Sequence, residues 1–451
     1  MDFHPLHKSN FYYLNMVIEK KYYFIGGGLL VLLLIALVMM AMVKPGGSDK
    51  LPTGNVELIW WKTFETTENV QDAITEYQKL HKNVKITFVK KDISGYEKEL
   101  IESLAAGNGP DIFSIHNDWL PKQGDKISPM PQGTMSIKQF KDAFVDVAFT
   151  DFIKENKIYA LPMSIDVMAM YYNKDLLNSA SIYEVPKTWP DLVTIVPKLT
   201  SQTRPGVFER SAVAMGTGTN INRAVDIVTL LMLQNGTKFY DSNLRVCMIG
   251  DNSEGQANYN PGESALEFFT QFANPAKTVY TWNSKSENSI DAFTQGKLAF
   301  MFGYAYLTPT IRAKAPNLNW ELAPMPQPST DTLKVNLANY WGESVSRNAK
   351  YPALAWDFLN FVVQKQNLQK YYEKHKLPAS RKDLLTLQAS DTEIGVFADN
   401  ALSAKSVYKI DANTYESIFL KMVDDVILRN FTTREAIGNA VQQMNLILQK
   451  E

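Results

Sequence analysis

The sequence predicts an α/β protein with two separate cores, preceded by one membrane-spanning helix. Three observations carry that prediction. Strand-like runs alternate with helical ones through the first half, the pattern of layered α/β units with largely parallel sheets. The chain has 451 residues, well beyond the roughly 250–300 at which a single core stops growing. Residues 24–43 form a 20-residue apolar stretch without a charge, long enough at about 1.5 Å per residue to cross a bilayer as a helix.

The apolar stretch reads as an uncleaved signal anchor. A cleaved signal peptide has an apolar region of about 7–15 residues ending in a small-x-small site. Here Met39, Met40 and Ala41 put a bulky side chain where a small one is needed. The single cysteine, Cys247, is too distant to carry a lipid and excludes an intramolecular disulfide. Lys8, Lys20 and Lys21 before the helix, against Lys44 and Lys50 after it, are too small an excess to fix orientation. Tyr12, Tyr13, Tyr22 and Tyr23 suit an interfacial belt. Residues 44–54, with Pro45, Gly46 and Gly47, read as a flexible linker. A net charge of −1 with 21% charged residues gives no electrostatic footprint for nucleic acid.

Beyond the linker, residues 56–61 read as a first strand in which Glu57 is the only charge. Val70, Ile74 and Tyr77 mark a helix, and residues 84–89 alternate as a second strand. A helix then stops at Gly107, which can take the left-handed cap conformation, and Pro110 and Asp111 lead into a third strand. Phe140, Phe144, Val147, Ala148 and Phe152 make one apolar face of a helix over residues 139–153. Residues 167–172 are apolar or aromatic throughout, as in a strand buried on both faces. Asp166 stands at the mouth of that strand and needs a partner. Thr188 and Asp191 form a capping signal, and Ser264 and Glu267 a second. Residues 212–215 read as a strand, 240–262 as a polar hairpin loop with Cys247 in its 244–249 strand, and 417–428 as a helix. Leu354, Phe358, Leu359 and Val362 are a core stripe, as are Ile437, Val441, Met444 and Leu448.

The series resembles the extracellular solute-binding proteins of ABC importers, in the carbohydrate-type class that includes maltose-binding protein. The motifs are the crossover strand after Asp166, the helix–Gly107–Pro110–Asp111–strand unit, the strand from Gly296 to Tyr306, and the return at Leu377, Pro378, Ala379, Ser380 and Arg381. The resemblance spans roughly residues 55–450. It implies a two-lobed periplasmic-binding-protein-like fold with the ligand cleft between the lobes: lobe 1 from 55–167 plus 325–378, lobe 2 from 168–324 plus 379–451. Crossings are expected near 166–168, 321–325 and 378–381.

The resemblance also implies a set of ligand contacts. On lobe 1 these are Glu65, Asp118, Trp119 and Asp166, the first two against the alternatives of a solvated loop charge and a helix cap. Ile115 stands where maltose-binding protein has an aromatic contact, so Trp119 is the relocated stacking surface. On lobe 2 they are Tyr306, with Tyr304 as its substitute, then Trp282 and Tyr415, with Tyr306 and Trp282 against the alternative of core packing. Trp341, in a loop beside Gly342, is expected to stack on the ligand. Trp189 and Trp356 are assigned to core, and at most one of Trp60 and Trp61 can reach the cleft.

No catalytic set competes. His81, His116 and His375 lack metal-ligand spacing, the residues after Gly216 lack a phosphate-loop ending, and Asp241, Asn243, Asp251 and Glu254 lack that of a calcium loop. No cofactor or metal is expected. The implied function is non-enzymatic: a monomeric, membrane-tethered receptor that delivers a small polar ligand, most readily a sugar or oligosaccharide, to an ABC permease by cleft closure. A cytoplasmic tail of residues 1–22, an anchor of 23–43 and an extracytoplasmic domain follow. The alternatives are a ligand-sensing subunit, or an anchored carbohydrate-active enzyme using two cleft carboxylates such as Asp118 and Asp166.

Overall fold

The computed structural model describes residues 54–256 and 258–449. The expected tail 1–22 and anchor 23–43 lie outside the described residues. Among the described residues no helix is long and apolar enough to cross a membrane.

Strands β1 (Val56–Lys62), β2 (Val84–Lys90) and β3 (Ile112–His116) open the fold and pair in parallel with β1 between the other two. A small hairpin, β4 (Ile153–Lys154) and β5 (Lys157–Ile158), precedes β6 (Leu161–Pro162). The chain then leaves and builds a second sheet from β7 (Ala169–Asn173), β8 (Ser201–Arg204), β9 (Val207–Val213), β10 (Leu298–Gly303) and β11 (Trp320–Ala323), in the order β11-β7-β10-β9-β8. It returns through β12 (Asn336–Leu337), and β13 (Trp341–Val345) inserts antiparallel between β3 and β6 to give β2-β1-β3-β13-β6. Last, β14 (Ala404–Lys405) pairs with β12. Each sheet is the centre of one lobe.

The chain passes between sheets at residues 163–168 and again at 324–340, later than expected because residues 321–323 still belong to β11. The third crossing also comes late. Ala379 bridges Ser164, Arg381 bridges Phe144, and helix Lys382–Gln388 packs against helix Ile137–Ala143 on the first-sheet side. Helix Ala412–Ile427 then packs against helices Ala224–Gln234 and Thr433–Leu448.

Local signals account for much of this. Thr188 and Asp191 form the expected capping box, and Gly107 takes φ +73° just past helix Tyr96–Ala105. The two apolar stripes lie on helices Pro352–Val362 and Thr433–Leu448. Elsewhere tertiary contacts win. The helix expected over 139–153 is two helices, Ile137–Ala143 and Asp146–Phe152, because Phe144 turns extended to bridge Arg381 and Val145 N–H donates to the Ser380 carbonyl at 3.1 Å. Helix Pro261–Thr270 starts before Ser264, since the Asn260 side chain accepts from Glu263 N–H at 2.8 Å and caps it. Residues 244–249 form no strand: Leu244 sits at φ +57°, and buried Cys247 makes only an isolated bridge to Tyr240.

Candidate functional site

A cavity of about 800 Å³ opens between the lobes. Its first wall grows from the ends of β3 and β13. His116 closes β3 directly opposite Trp341 at the start of β13, so the tryptophan expected in a loop is fixed by a strand register. Gly342 permits the close fit behind it, since a Cβ there would lie 2.6 Å from the Phe152 ring. The Trp341 ring is ringed edge-to-face by Phe64 at 5.7 Å, Tyr96 at 6.0 Å, and His116 and Trp119 at 5.2 Å. Such pairs contribute about 0.5–1.5 kcal/mol each beyond area burial, so this platform is rigid before any ligand arrives.

The second wall is built on charge. Arg223, at φ +61°, precedes helix Ala224–Gln234, and Asp226 sits buried in that helix's first turn. Arg223 Nε donates to Asp226 Oδ2 at 2.7 Å, the Tyr304 hydroxyl donates to the same oxygen at 2.8 Å, and Lys409 Nζ lies 3.4 Å from Oδ1. Burial alone would raise the Asp226 carboxyl, but the Lys409 ammonium and Arg223 guanidinium outweigh it and hold the group well below the ordinary carboxylate range. Arg223, Asp226, Lys409 and Tyr415 all line the cavity.

The nine expected contacts separate into groups. Trp341, Trp119 and Tyr415 line the cavity. Tyr415 does so from inside helix Ala412–Ile427, its hydroxyl 3.2 Å from that of Thr229. Tyr304 is fully buried and meets the cavity's charged wall through its hydroxyl on Asp226 and through its ring, 5.4 Å under the Arg223 guanidinium. Tyr306 is 49% exposed, stacked on Tyr304 at 6.0 Å, and outside the lining. Asp118 is buried behind His116, whose Nδ1 lies 2.6 Å from Asp118 Oδ1. Glu65 is tied to buried Lys62 at 3.2 Å and accepts from the Tyr371 hydroxyl at 3.1 Å. Trp282 is core, its indole N–H donating to Asn220 at 3.2 Å.

Asp166 finds its partners in the backbone: Ala305 N–H donates at 2.8 Å and Tyr306 N–H at 3.2 Å. Its side chain keeps some surface, yet the surrounding protein pushes the carboxyl up to about 7 by desolvation, against those amide bonds. Neither Asp118 nor Asp166 lines the cavity. Trp189 and Trp356 are core, and neither Trp60 nor Trp61 reaches the lining.

Sequence reasoning passed over Phe64, Tyr96, His116, Arg223, Asp226, Asn339 and Lys409. One signal was available: a lone carboxylate at Asp226 inside the run 224–233, which directly follows Arg223 and has Thr229 as its one other polar residue. A buried charge at such a place needs partners.

A family model described as bacterial extracellular solute-binding protein matches residues 72–398. The chain is 25% identical to the maltodextrin-binding protein of Bacillus subtilis over 341 residues, 70% of this chain and 73% of that one. Among solved structures it is similar to a cyclo/maltodextrin-binding protein complexed with maltotetraose, with TM-score 0.74 and 18% identity over 89% of this chain and 99% of the other. It is also similar to the sugar-binding protein MalE of Xanthomonas citri, with TM-score 0.74 and 18% identity over 88% and 98% of the two chains.

Proposed function

Since the chain belongs to the bacterial extracellular solute-binding proteins, we propose that its ligand is a neutral sugar or oligosaccharide, carried to the permease of an ABC importer by closure of the lobes over the cleft. The observation that carries this reading is the pairing of unlike walls. Aromatic faces suit the C–H surfaces of a pyranose ring, and the opposite Arg223–Asp226–Lys409 group suits its hydroxyls. The cavity, about 800 Å³, lies high in the range of roughly 300–1,000 Å³ for ligand pockets, which favours an oligosaccharide over a single sugar. The maltodextrin-binding relative agrees in ligand class.

Closure shifts a pre-existing equilibrium through contacts that exist only when both walls meet the ligand. The hinges are the segments passing between the two sheets. Residues 24–43 tether a monomeric receptor to the membrane with the binding unit outside. The function is binding without catalysis.

Calorimetric titration against maltotetraose, mannotriose, free amino acids and short peptides tests the ligand class. Saturable binding of an oligosaccharide, with a smaller radius of gyration in solution scattering, is the expected result. Binding confined to amino acids or peptides would overturn it, as would release of reducing ends on incubation for the non-enzymatic reading. Membrane fractionation and N-terminal sequencing of the mature chain test the tether, which a mature N-terminus beyond Met42 would sink.

A further inference from the structure

His116 faces two oxygens. Its Nδ1 meets Asp118 Oδ1 at 2.6 Å and its Nε2 meets Asn339 Oδ1 at 2.7 Å. Asp118 is sealed from the cavity and its Oδ2 has no partner among the described residues, whereas His116 and Asn339 both line the cavity. Asn339 is pinned by its backbone, where its N–H donates to the Asp166 carbonyl at 2.9 Å, so its freedom lies in the side-chain amide.

An imidazolium carries two N–H donors and satisfies both oxygens as they stand. A neutral ring has one donor and one acceptor. Facing a carboxylate, which only accepts, the neutral ring keeps its proton on Nδ1 and leaves Nε2 as an acceptor. Asn339 can meet that acceptor only by turning its amide over, which exchanges the positions of its oxygen and nitrogen.

On the sugar-receptor reading of this cleft, we propose that His116 and Asn339 are its specificity-determining polar pair and Asp118 their positioning residue, the charge on His116 deciding whether Asn339 offers the ligand a donor or an acceptor. Behind the pair, Asp151 beside Asp118 and Asp166 beside Asn339 have carboxyls pushed by burial up to about 7, and the ionisable groups around the cavity are largely tied up. On the same wall are Tyr96, Lys98 and Glu102, with Glu97 and Lys122 paired at 3.0 Å. On the far wall Arg223 and Lys409 are held by Asp226, with Asp411 and Glu416 beside them.

The test uses the full chain in detergent, with maltotetraose and mannotriose as probes titrated calorimetrically between about pH 5 and pH 8, where imidazoles change charge. Exchanging a hydrogen-bond donor for an acceptor should change Kd by about fivefold across that range. His116→Gln and Asn339→Ala should flatten the profile to within about twofold, and Asp118→Asn should blunt it, since an amide no longer fixes which ring nitrogen carries the proton. Independently of any sugar, the Asn339 side-chain amide in the ligand-free wild type should shift in nitrogen-edited NMR with the same midpoint as the His116 ring. A pH step that survives His116→Gln, or an Asn339 amide unmoved through the ring's titration, overturns the proposal. Failure of both probes to bind would sink the sugar reading instead, and the amide titration would still decide the pair.

Discussion

The two walls of the cleft reach rigidity by different physics. On the first, four rings surround Trp341 edge-to-face, an arrangement that salt scarcely touches. On the second, one buried carboxylate organises two cations and a tyrosine hydroxyl. Removing a ring from the first wall takes away contact area and leaves its neighbours content. Removing Asp226 strands two charges. The aromatic wall therefore tolerates substitution at the expense of affinity, and the charged wall ties ligand recognition to the stability of its lobe.

The sharpest break is Asp226→Asn. Deleting one partner of a buried ion pair typically costs about 3–5 kcal/mol, and urea unfolding of the variant should show a loss of that order. The pH dependence follows from the depressed carboxyl. A folded-state value below the unfolded one gives stability that is complete above about pH 4 and lost as pH falls through the folded value. Wild type should lose this contribution only in strong acid, and the variant should lack it throughout.

Trp341→Ala comes next and should strike affinity. Truncating a ligand-stacking tryptophan typically costs at least about 2 kcal/mol, roughly thirtyfold in Kd. Maltotetraose titration checks it. Retained affinity with a large fall in melting temperature would place Trp341 in the scaffold and remove the asymmetry between the walls.

Asp166 and Asp151 sharpen the comparison at the junction between the lobes. Asp151 accepts from the Tyr340 hydroxyl at 2.6 Å and the Ser406 hydroxyl at 2.5 Å, and burial pushes its carboxyl up to about 7. Asp166 is pushed to about the same value. A raised folded value means stability that is complete below about pH 4 and lost as pH rises towards 7. The melting temperature should therefore fall between pH 5 and pH 8, and Asp151→Asn should remove part of that slope. Asp166→Asn turns an NH₂ towards one of two backbone donors, which should cost about 1–3 kcal/mol of stability and leave affinity nearly unchanged. A ten- to hundredfold affinity loss would put Asp166 on the ligand after all.

What could be read from the sequence was local. The Thr188–Asp191 box and the Gly107 stop depend on residues a few positions apart, and so do the helical stripes. The break at Phe144 depends on Arg381, and Asp226 meets Lys409 across 183 positions. Asp118 shows the limit for sites. The chain's order put it beside the ligand, but a histidine two residues earlier, held from the other side by Asn339, stands in front of it. Trp282 shows the same limit in reverse, because an amide at Asn220 satisfies its indole and lets it sink into the core.

The smallest expected effect is at Tyr306. Its ring is 49% exposed and lies nearly parallel to Tyr304, 6.0 Å away at 16°. The backbone N–H of Tyr306, which a side-chain change leaves in place, is what binds Asp166. Tyr306→Ala should therefore cost less than about 1 kcal/mol of stability, near the lower end for an aromatic pair. It should change maltotetraose affinity by less than about twofold, since the ring stands outside the lining and an exposed side chain away from the ligand contributes only tenths of a kcal/mol. Tyr304→Phe is the matched control, because it removes the hydroxyl that donates to Asp226 while keeping the ring. That change should cost more than Tyr306→Ala, about 1–3 kcal/mol for a hydrogen bond to a buried charge. If Tyr306→Ala instead weakens binding tenfold while Tyr304→Phe does not, closure must swing the outer ring over the ligand, and the charged wall would gain an aromatic face of its own.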